Sequence, residues 1–305
     1  MRQDLRSSVL SRREMLELLG AGALAATLPA GALAAPTFPK GAVIRTILKD
    51  YAPEELAGGA TLFHEHLSFA PDFMTRWTRY AAETRAANAP RPAPGATPAA
   101  PRPAAPPPAA APAPFFMSDQ ELMAQELTIA RQEGIGCIVD GGHPDMGRDL
   151  ASLRQLSTKS GLPIIAGGGL YTEPFYPAEI AAMSEEQIAQ VLIKQVESEP
   201  IGVFGEIGSW DDISATERKV FRAIGRAHLA TNLSIFTHTG IPGKSALEQL
   251  DLLEDAGVKP NRIVIGHLGN LVDANVQVQK AICRRGAFVG FDRQGGTATG
   301  SKCRW

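Results

Sequence analysis

The sequence predicts an α/β fold, a (β/α)8 TIM-barrel, on three observations. Short apolar runs alternate with amphipathic stretches along the chain, which is typical of βαβ units built around a parallel sheet. Histidines stand at the C-terminal ends of several of these runs, where barrel active sites lie. The 305 residues also suffice for one such barrel, which uses roughly 250. We therefore expect one large domain.

Seven apolar runs are candidates for the barrel strands. The competing architecture, a doubly wound open sheet, would carry a Gly fingerprint after its first strand, where this chain has His-Glu-His. Ser184 and Ser245 are candidate N-caps of two of the helices between the runs. The predicted strands are 60–66, 135–140, 163–169, 201–207, 234–238, 262–267 and 287–292, and the clearest helical stretches are 118–133, 184–197, 216–231 and 244–256.

Two segments of the chain have an unusual composition. Arg12 and Arg13 precede an uncharged Ala- and Leu-rich stretch and a small-residue cleavage site, so residues 1–35 are predicted to be a twin-arginine signal peptide. The chain should then meet the twin-arginine export machinery and reach the periplasm, although an amphipathic first helix is the alternative. The predicted barrel occupies 41–305, and it contains a segment, 90–114, with 11 Pro and 10 Ala among its 25 residues. That composition predicts a disordered insertion, either inert or a functional lid.

Composition excludes one class of partner. The net charge of -2 and a pI near 6.3 do not supply the basic field that nucleic acids require, so we expect a small-molecule substrate. Cys137, Cys283 and Cys303 have no C-x-x-C spacing, which argues against a disulfide framework or a zinc knot. No pattern in the sequence indicates the oligomeric state, and a homodimer is one of the alternatives.

Four of the six histidines form the candidate metal ligands. Strand side chains alternate, so His64 and His66 share one face while Glu65 points away. His238 and His267 each end a later apolar strand. Because barrel strands end at one common face, all four should meet there, whereas satisfied core histidines are the competing interpretation.

Glu206 completes the predicted set. It lies inside an apolar, Gly-rich strand, where an unpaired carboxylate would cost several kcal/mol. A carboxylate bridging two metal ions meets this need, while a salt bridge to a Lys or Arg is the alternative. His143 is more simply a loop hydrogen-bonding residue, His228 a surface or helix-packing residue, and the Arg148-Asp149 pair a loop support before a helix.

These residues together resemble the phosphotriesterase-like family of the amidohydrolase superfamily, over about residues 41–294. The resemblance implies that His64 and His66 bind one metal, that His238 and His267 bind the second, and that Glu206 bridges them. It also implies that Tyr171, Asp292 and Arg293 line the substrate pocket. The matching segments are 61–67, Asp140 with 147–149, 169–171, 205–208, 237–240, 266–268 and 290–293.

The resemblance implies a mechanism as well. A hydroxide bridging two divalent cations, Zn or else Mn, Fe or Co, attacks a lactone, carboxylic ester or phosphotriester. The family also carries an aspartate at the end of strand eight, and only 13 residues follow Asp292. We therefore expect a barrel truncated before strand eight, with the catalytic residue unassigned. The alternative is a catalytically impaired or non-catalytic barrel remnant, and the same histidines would also suit a one-metal deaminase-like site.

Overall fold

The computed structural model describes residues 37–87, 116–240, 243–271, 273 and 275–292. The predicted signal peptide, the Pro- and Ala-rich segment, Arg293 and Cys303 lie outside the described residues. From Gly41 onward, the described residues form one compact unit. Among the described helices, none has both the length and the apolar character needed to cross a membrane.

The centre of the unit is a seven-stranded parallel sheet whose strands follow one another in chain order. Sequential order has no reversal point, which a doubly wound sheet would require, so the predicted barrel-type α/β fold class is confirmed. The strands are β3 (Ala60–Glu65), β4 (Ile135–Asp140), β5 (Ile164–Gly168), β6 (Ile201–Gly208), β7 (Ile235–His238), β8 (Ile263–Ile265) and β9 (Phe288–Val289), after a short antiparallel pair, β1 (Ile44–Arg45) and β2 (Asp50–Tyr51).

The sheet curls, because residues of its first and last strands meet. Nδ1 of His64, on β3, lies 2.7 Å from Oδ2 of Asp292, which follows β9. A Cβ atom added to Gly290 would also lie 3.0 Å from the ring of Phe63. The curled sheet therefore gathers the C-terminal ends of its strands around one mouth.

Helices connect the strands and cover the sheet. The α-helices are α1 (Pro53–Leu56), α2 (Phe73–Ala87), α3 (Gln120–Gln132), α4 (Leu150–Ser160), α5 (Glu185–Ser198), α6 (Ala215–Thr231), α7 (Ala246–Asp255) and α8 (Gln277–Arg285). Short 3-10 turns occupy Phe116–Ser118, Pro144–Met146, Glu173–Phe175, Ala178–Ala181, Pro260–Arg262 and Leu268–Asn270.

Capping side chains explain where several helices begin. Ser184 accepts a hydrogen bond from the backbone N–H of Gln187 at the start of α5, as predicted. Ser245 lies at the N-cap position of α7, as predicted, but its backbone is already helical and its side chain makes no cap hydrogen bond. Its hydroxyl instead accepts from that of Ser209, 3.1 Å away. A contact with Ser209, distant in the chain, thus takes the place of a hydrogen bond to the backbone of α7.

The hydrophobic core lies between the sheet and the helices. Its helix side chains recur at three- and four-residue spacing, so each helix buries one face. Leu153 and Leu156 on α4 and Phe221 and Ile224 on α6 have no exposed surface and pack in the same cluster as the strand residues. This packing holds the strands rigidly, which fixes the positions of the side chains at their C-terminal ends.

Candidate metal centre

The predicted ligands occupy the ends of different strands. His64 lies on β3 and His66 directly follows it, while Glu206 lies within β6 and His238 ends β7. His267 follows β8. Because the strands are parallel, these ends meet at one mouth, and the structure brings all five side chains together there.

Glu206 is the centre of the cluster. It is 2% exposed, and both of its carboxylate oxygens face imidazole nitrogens. Glu206 therefore faces histidines and does not form the alternative salt bridge to Lys or Arg. Its Oε1 lies 3.0 Å from Nε2 of His64, 2.5 Å from Nδ1 of His238 and 2.6 Å from Nε2 of His267, and its Oε2 lies 3.2 Å from Nε2 of His66.

The donor set fits divalent cations. Nδ1 of His238 and Nε2 of His267 lie only 3.0 Å apart while both face the same oxygen, a convergence of lone-pair atoms typical of metal ligation. Nε2 of His64 is buried, and although Oε1 of Glu206 lies 3.0 Å away, the two atoms form no hydrogen bond of normal geometry. Within the part of the chain that the structure describes, three groups have ligand atoms within 4.8 Å of one another: His64, His66 and Glu206; His64, His267 and Asp292; and Glu206, His238 and His267.

Asp292 belongs to this cluster, which sequence reasoning missed. The sequence predicts a substrate-lining residue, but its carboxylate lies 2.7 Å from Nδ1 of His64 and 2.8 Å from Nδ1 of His267. Each of these histidines therefore presents Nδ1 to Asp292 and Nε2 to Glu206. A carboxylate behind a metal-binding imidazole fixes its tautomer and ring orientation. The one feature of the sequence that could have indicated this role is that Asp292 is a carboxylate at the end of a predicted strand.

The carboxylates and imidazoles of the cluster shift one another's pKa values toward the charged forms. Burial alone would raise the pKa of Glu206, but His238, His64 and His267 outweigh it and hold that pKa well below its usual value. The pKa of Asp292 is likewise far below normal, because His267 and His64 outweigh the effect of burial. Burial lowers the pKa of His64, yet Glu206 and Asp292 raise it to about 9. Both carboxylates thus stay ionised and attract positive charge.

Tyr171, predicted to line the substrate pocket, lies beside this cluster. Its hydroxyl oxygen is 3.2 Å from Nδ1 and 3.4 Å from Nε2 of His238, and it accepts a hydrogen bond from Nε1 of Trp77 at 3.1 Å. Its backbone N–H donates to Asp145, and its carbonyl accepts from the N–H of Gly208. Tyr171 is therefore held at three points, by Trp77 of α2, by Asp145 in the 3-10 turn Pro144–Met146 and by Gly208 at the end of β6.

An aromatic wall surrounds this side of the mouth, and sequence reasoning missed it. Trp210 lies two residues after the end of β6. Its ring centroid lies 5.6 Å from that of Trp77, 4.9 Å from that of Tyr80 and 6.1 Å from that of His238. The helix α2 supplies much of the wall, although its aromatic residues are scattered in sequence and carry no motif. We define the aromatic wall as Phe69, Phe73, Trp77, Tyr80, Phe175 and Trp210.

The remaining histidines lie elsewhere. His143 is fully buried, and neither ring nitrogen has a hydrogen-bond partner among the described residues. Its backbone carbonyl accepts the loop hydrogen bonds, from the N–H groups of Met146 and Arg148. The predicted hydrogen-bonding role thus belongs to its backbone. His228 is buried on α6, where Nδ1 lies 2.6 Å from the carbonyl oxygen of Leu233, as expected for a packing residue.

The Arg148-Asp149 pair supports the loop before α4, as predicted. Asp149 caps this helix by accepting from the N–H groups of Ala151 and Ser152. Arg148 donates to the carbonyl oxygen of Gly167 and pairs with Glu199. Cys137, on β4, is buried and forms no disulfide.

The chain is similar in sequence to a known protein family. The model of the phosphotriesterase family matches residues 46–300. An aryldialkylphosphatase of Saccharolobus solfataricus is 31% identical over 176 residues, which are 56% of this chain and 55% of that protein. An N-acetyltaurine hydrolase of Danio rerio is 26% identical over 264 residues, covering 82% of this chain and 71% of that protein. The chain therefore spans between about half and seven tenths of these two relatives.

The fold has a solved counterpart. The crystal structure of a phosphotriesterase homology protein from Escherichia coli, complexed with phosphate in its active site, superposes with a TM-score of 0.59. The match covers 76% of this chain and 69% of that chain at 24% sequence identity. At this identity the likeness shows the shared barrel fold.

Proposed function

Because this chain belongs to the phosphotriesterase family, we propose that it is a metal-dependent hydrolase that cleaves an ester-type bond. The observation that carries the proposal is the convergence of four imidazoles on the buried Glu206 at the mouth of the barrel. Such a cluster is expensive to bury unless a cation compensates its negative charge. The names of the relatives, an aryldialkylphosphatase and an N-acetyltaurine hydrolase, both denote hydrolysis and support this class.

The proposed ligands divide into two sets around Glu206. His64 and His66 would hold one divalent cation, His238 and His267 would hold a second, and Glu206 would be shared between them. Zn is the first candidate, and Mn, Fe and Co also suit imidazole and carboxylate ligands. The shared carboxylate disfavours a one-metal deaminase-like site, because a bridging ligand has no role beside a single ion.

The chemistry follows from these ligands and their neighbours. Divalent cations, when bound, activate water for attack and polarise a carbonyl or phosphoryl oxygen. Asp292 keeps the Nδ1 atoms of His64 and His267 engaged, so that their Nε2 atoms face Glu206. Tyr171 brings a hydroxyl to the edge of the His238 ring, where it can contact an oxygen of the substrate.

The aromatic wall supports a substrate that carries an apolar group. Trp210 and Phe175 are mostly buried, and Trp77 is partly buried. Such a surface favours apolar or aromatic groups over fully ionic ones. We therefore propose neutral lactones, carboxylic esters or phosphotriesters as the substrate class.

Metal analysis combined with hydrolysis tests the proposal. Purified protein should contain about two Zn-type ions per chain and hydrolyse a dialkyl aryl phosphate, a nitrophenyl carboxylic ester or a δ-lactone, with activity lost to a chelator and restored by Zn2+. His238→Asn should remove metal and activity. His228→Asn, at a buried histidine outside the cluster, is the matched control and should keep both.

Two results would contradict the proposal. Protein without metal that hydrolyses none of the probes after Zn2+ is added would favour the non-catalytic barrel. Hydrolysis that survives both the chelator and His238→Asn would show that another site performs it.

Export is a separate part of the proposal. The paired arginines at 12 and 13 before an uncharged stretch support passage through the twin-arginine machinery to the periplasm. Replacing both arginines by lysine should keep the protein inside the cytoplasm in cell fractionation. Equal periplasmic amounts of the two forms would contradict this route.

A further inference from the structure

We propose that a cavity at the N-terminal ends of β7 and β8 binds a small oxyanion, a phosphate or a carboxylate. Asn232 precedes β7 and Arg262 directly precedes β8, whereas the candidate metal ligand His238 ends β7. The cavity therefore lies at the opposite end of these strands from the metal centre, and the inference is independent of the proposed hydrolase function. Its volume is about 380 Å³, and its lining includes His228, Asn232, Gly257, Lys259, Asn261 and Arg262.

This cavity is positively charged in a chain that is acidic overall. The chain has a formal net charge of -2. Lys259 and Arg262 nevertheless line the cavity, and none of its lining residues is acidic. Neither cation forms an ion pair with a carboxylate in the part of the chain that the structure describes. Two uncompensated cations at one concave surface attract an anion.

The fold uses only part of the hydrogen-bonding capacity of Arg262. Its Nη2 donates to the backbone carbonyl oxygen of Asn232, the C-cap of α6. Its Nε is buried and has no hydrogen-bond partner among the described residues. A guanidinium carries five N–H donors in a planar fork that suits the oxygens of phosphate and carboxylate groups. The contact with Asn232 therefore holds the guanidinium at the cavity and leaves donors for a ligand.

The ends of two helices explain one of these cations but not the other. Asn232, the C-cap of α6, and Gly257, just beyond the C-cap of α7, both line the cavity. The carbonyl ends of helices favour nearby cations, and Arg262 meets this need at α6. Lys259 is exposed, and its side chain has no hydrogen bond to another described residue. Lys259 is thus available to a ligand, together with the side-chain amide of Asn261.

His228 provides a local reporter of this cavity. Its Nδ1 lies 2.6 Å from the carbonyl oxygen of Leu233. Burial lowers the pKa of His228, the hydrogen bond to Leu233 opposes this effect, and the charge of Arg262 adds to the lowering. An anion bound beside Arg262 favours the protonated imidazole and should therefore raise this pKa.

An NMR titration of His228 tests the inference on the full chain. Inorganic phosphate and malonate are added in separate experiments at an ionic strength held constant with NaCl, and the imidazole signals are followed from about pH 5 to 8, where histidine titrates. His228→Asn identifies the signal by its loss. An anion that occupies the cavity should shift this signal saturably and raise the pKa of His228. Comparison of phosphate with malonate shows which of the two chemical groups the cavity prefers.

Two double variants matched in charge show whether the cavity itself binds the anion. Lys259→Gln with Arg262→Gln removes both cations and should weaken binding by at least about tenfold, the effect of losing charge-assisted hydrogen bonds. Arg154→Gln with Lys194→Gln removes the same charge at exposed positions on α4 and α5. This control should keep the affinity within about twofold of wild type, because salt screens distant surface charges. Lys259→Gln alone, at an exposed position, replaces the first variant if that variant does not fold.

Two results would overturn the proposal. A His228 signal that responds to neither anion would show that Lys259 and Arg262 serve only the helix ends and the surface. Equal losses of affinity in the two double variants would assign binding to the general charge of the protein. Because the readout is at His228, a saturable response in chelator-treated protein would sustain this inference even if no hydrolysis is found.

Discussion

A single oxygen of Asp292 faces both the backbone N–H of His267, at 2.9 Å, and the ring Nδ1 of His267, at 2.8 Å. The backbone of His267 has a left-handed conformation, with φ of 61°, which turns both groups in the same direction. The other oxygen of Asp292 faces Nδ1 of His64 at 2.7 Å. One carboxylate thus orients a proposed ligand from each side of the curled sheet.

Replacing Asp292 by Asn should weaken metal binding. The amide keeps one acceptor, but its NH2 group would face one of the two imidazole N–H groups. We expect a loss of Zn2+ affinity of about 10- to 100-fold, the usual effect of removing such a support, with an unchanged circular dichroism spectrum. Competition with a chelating dye measures it. Asp255→Asn, at an exposed position on α7, is the control, and equal affinities for the two variants would argue against an orienting role.

Bound metal should stabilise the fold. A ligand that binds only the folded state at 100 times its Kd adds about 2.7 kcal/mol. Zn2+ should therefore raise the Tm of the wild-type protein, and a chelator should lower it. Glu206→Gln removes the shared charge and should abolish most of this shift. Differential scanning calorimetry at fixed protein concentration provides the measurement, and a Zn2+ response of Glu206→Gln equal to wild type would contradict the central place of Glu206.

Glu217 should make stability depend on pH. Burial raises its pKa to about 7, although the backbone N–H groups of Ser214 and Glu173 oppose the rise. Because this pKa exceeds the usual 4.5, the folded state binds the proton more tightly between these values. The contribution of Glu217 to the free energy of unfolding is then present below pH 4.5 and lost as pH rises toward about 7, by at most about 1.4 kcal/mol per pH unit.

Urea unfolding from pH 4.5 to 8 tests this dependence. Glu217→Gln keeps the shape of the side chain and should flatten the decline of the unfolding free energy across the window. Glu126→Gln, at an exposed position on α3, should retain the wild-type profile. Parallel profiles for wild type and Glu217→Gln would show that Glu217 does not titrate there.

Gly147 should tolerate no side chain. Its φ is 88°, and an added Cβ would lie 2.2 Å from the backbone nitrogen of Ala70, in the loop that follows His66. Gly147→Ala should therefore lower the free energy of unfolding by about 2–4 kcal/mol, from strain and steric overlap together. Gly134, with φ of 101° and nothing within 4 Å of an added Cβ, separates the two effects. Gly134→Ala should cost only about 1–2 kcal/mol, and equal losses in urea unfolding would exclude the overlap.

Local sequence patterns predicted much of the fold. The alternation of apolar runs and amphipathic stretches predicts seven strands in parallel order, because each run needs a helix to return the chain to the same edge. Ser184 capped its helix as predicted, since a capping box involves residues three apart. Ser245 did not, because Ser209 competes for its hydroxyl across the fold.

The sequence by itself determined the barrel class and the five side chains that meet at its mouth, because strand periodicity and strand ends are local properties. Tertiary structure alone decided the place of Asp292, which lies 228 residues from His64 along the chain, and the contact of Trp77 with Tyr171, which lie 94 residues apart. The physical reason is the curl of the sheet and the packing of α2 over its mouth. These bring distant side chains within hydrogen-bond distance, and no local pattern encodes which of them will meet.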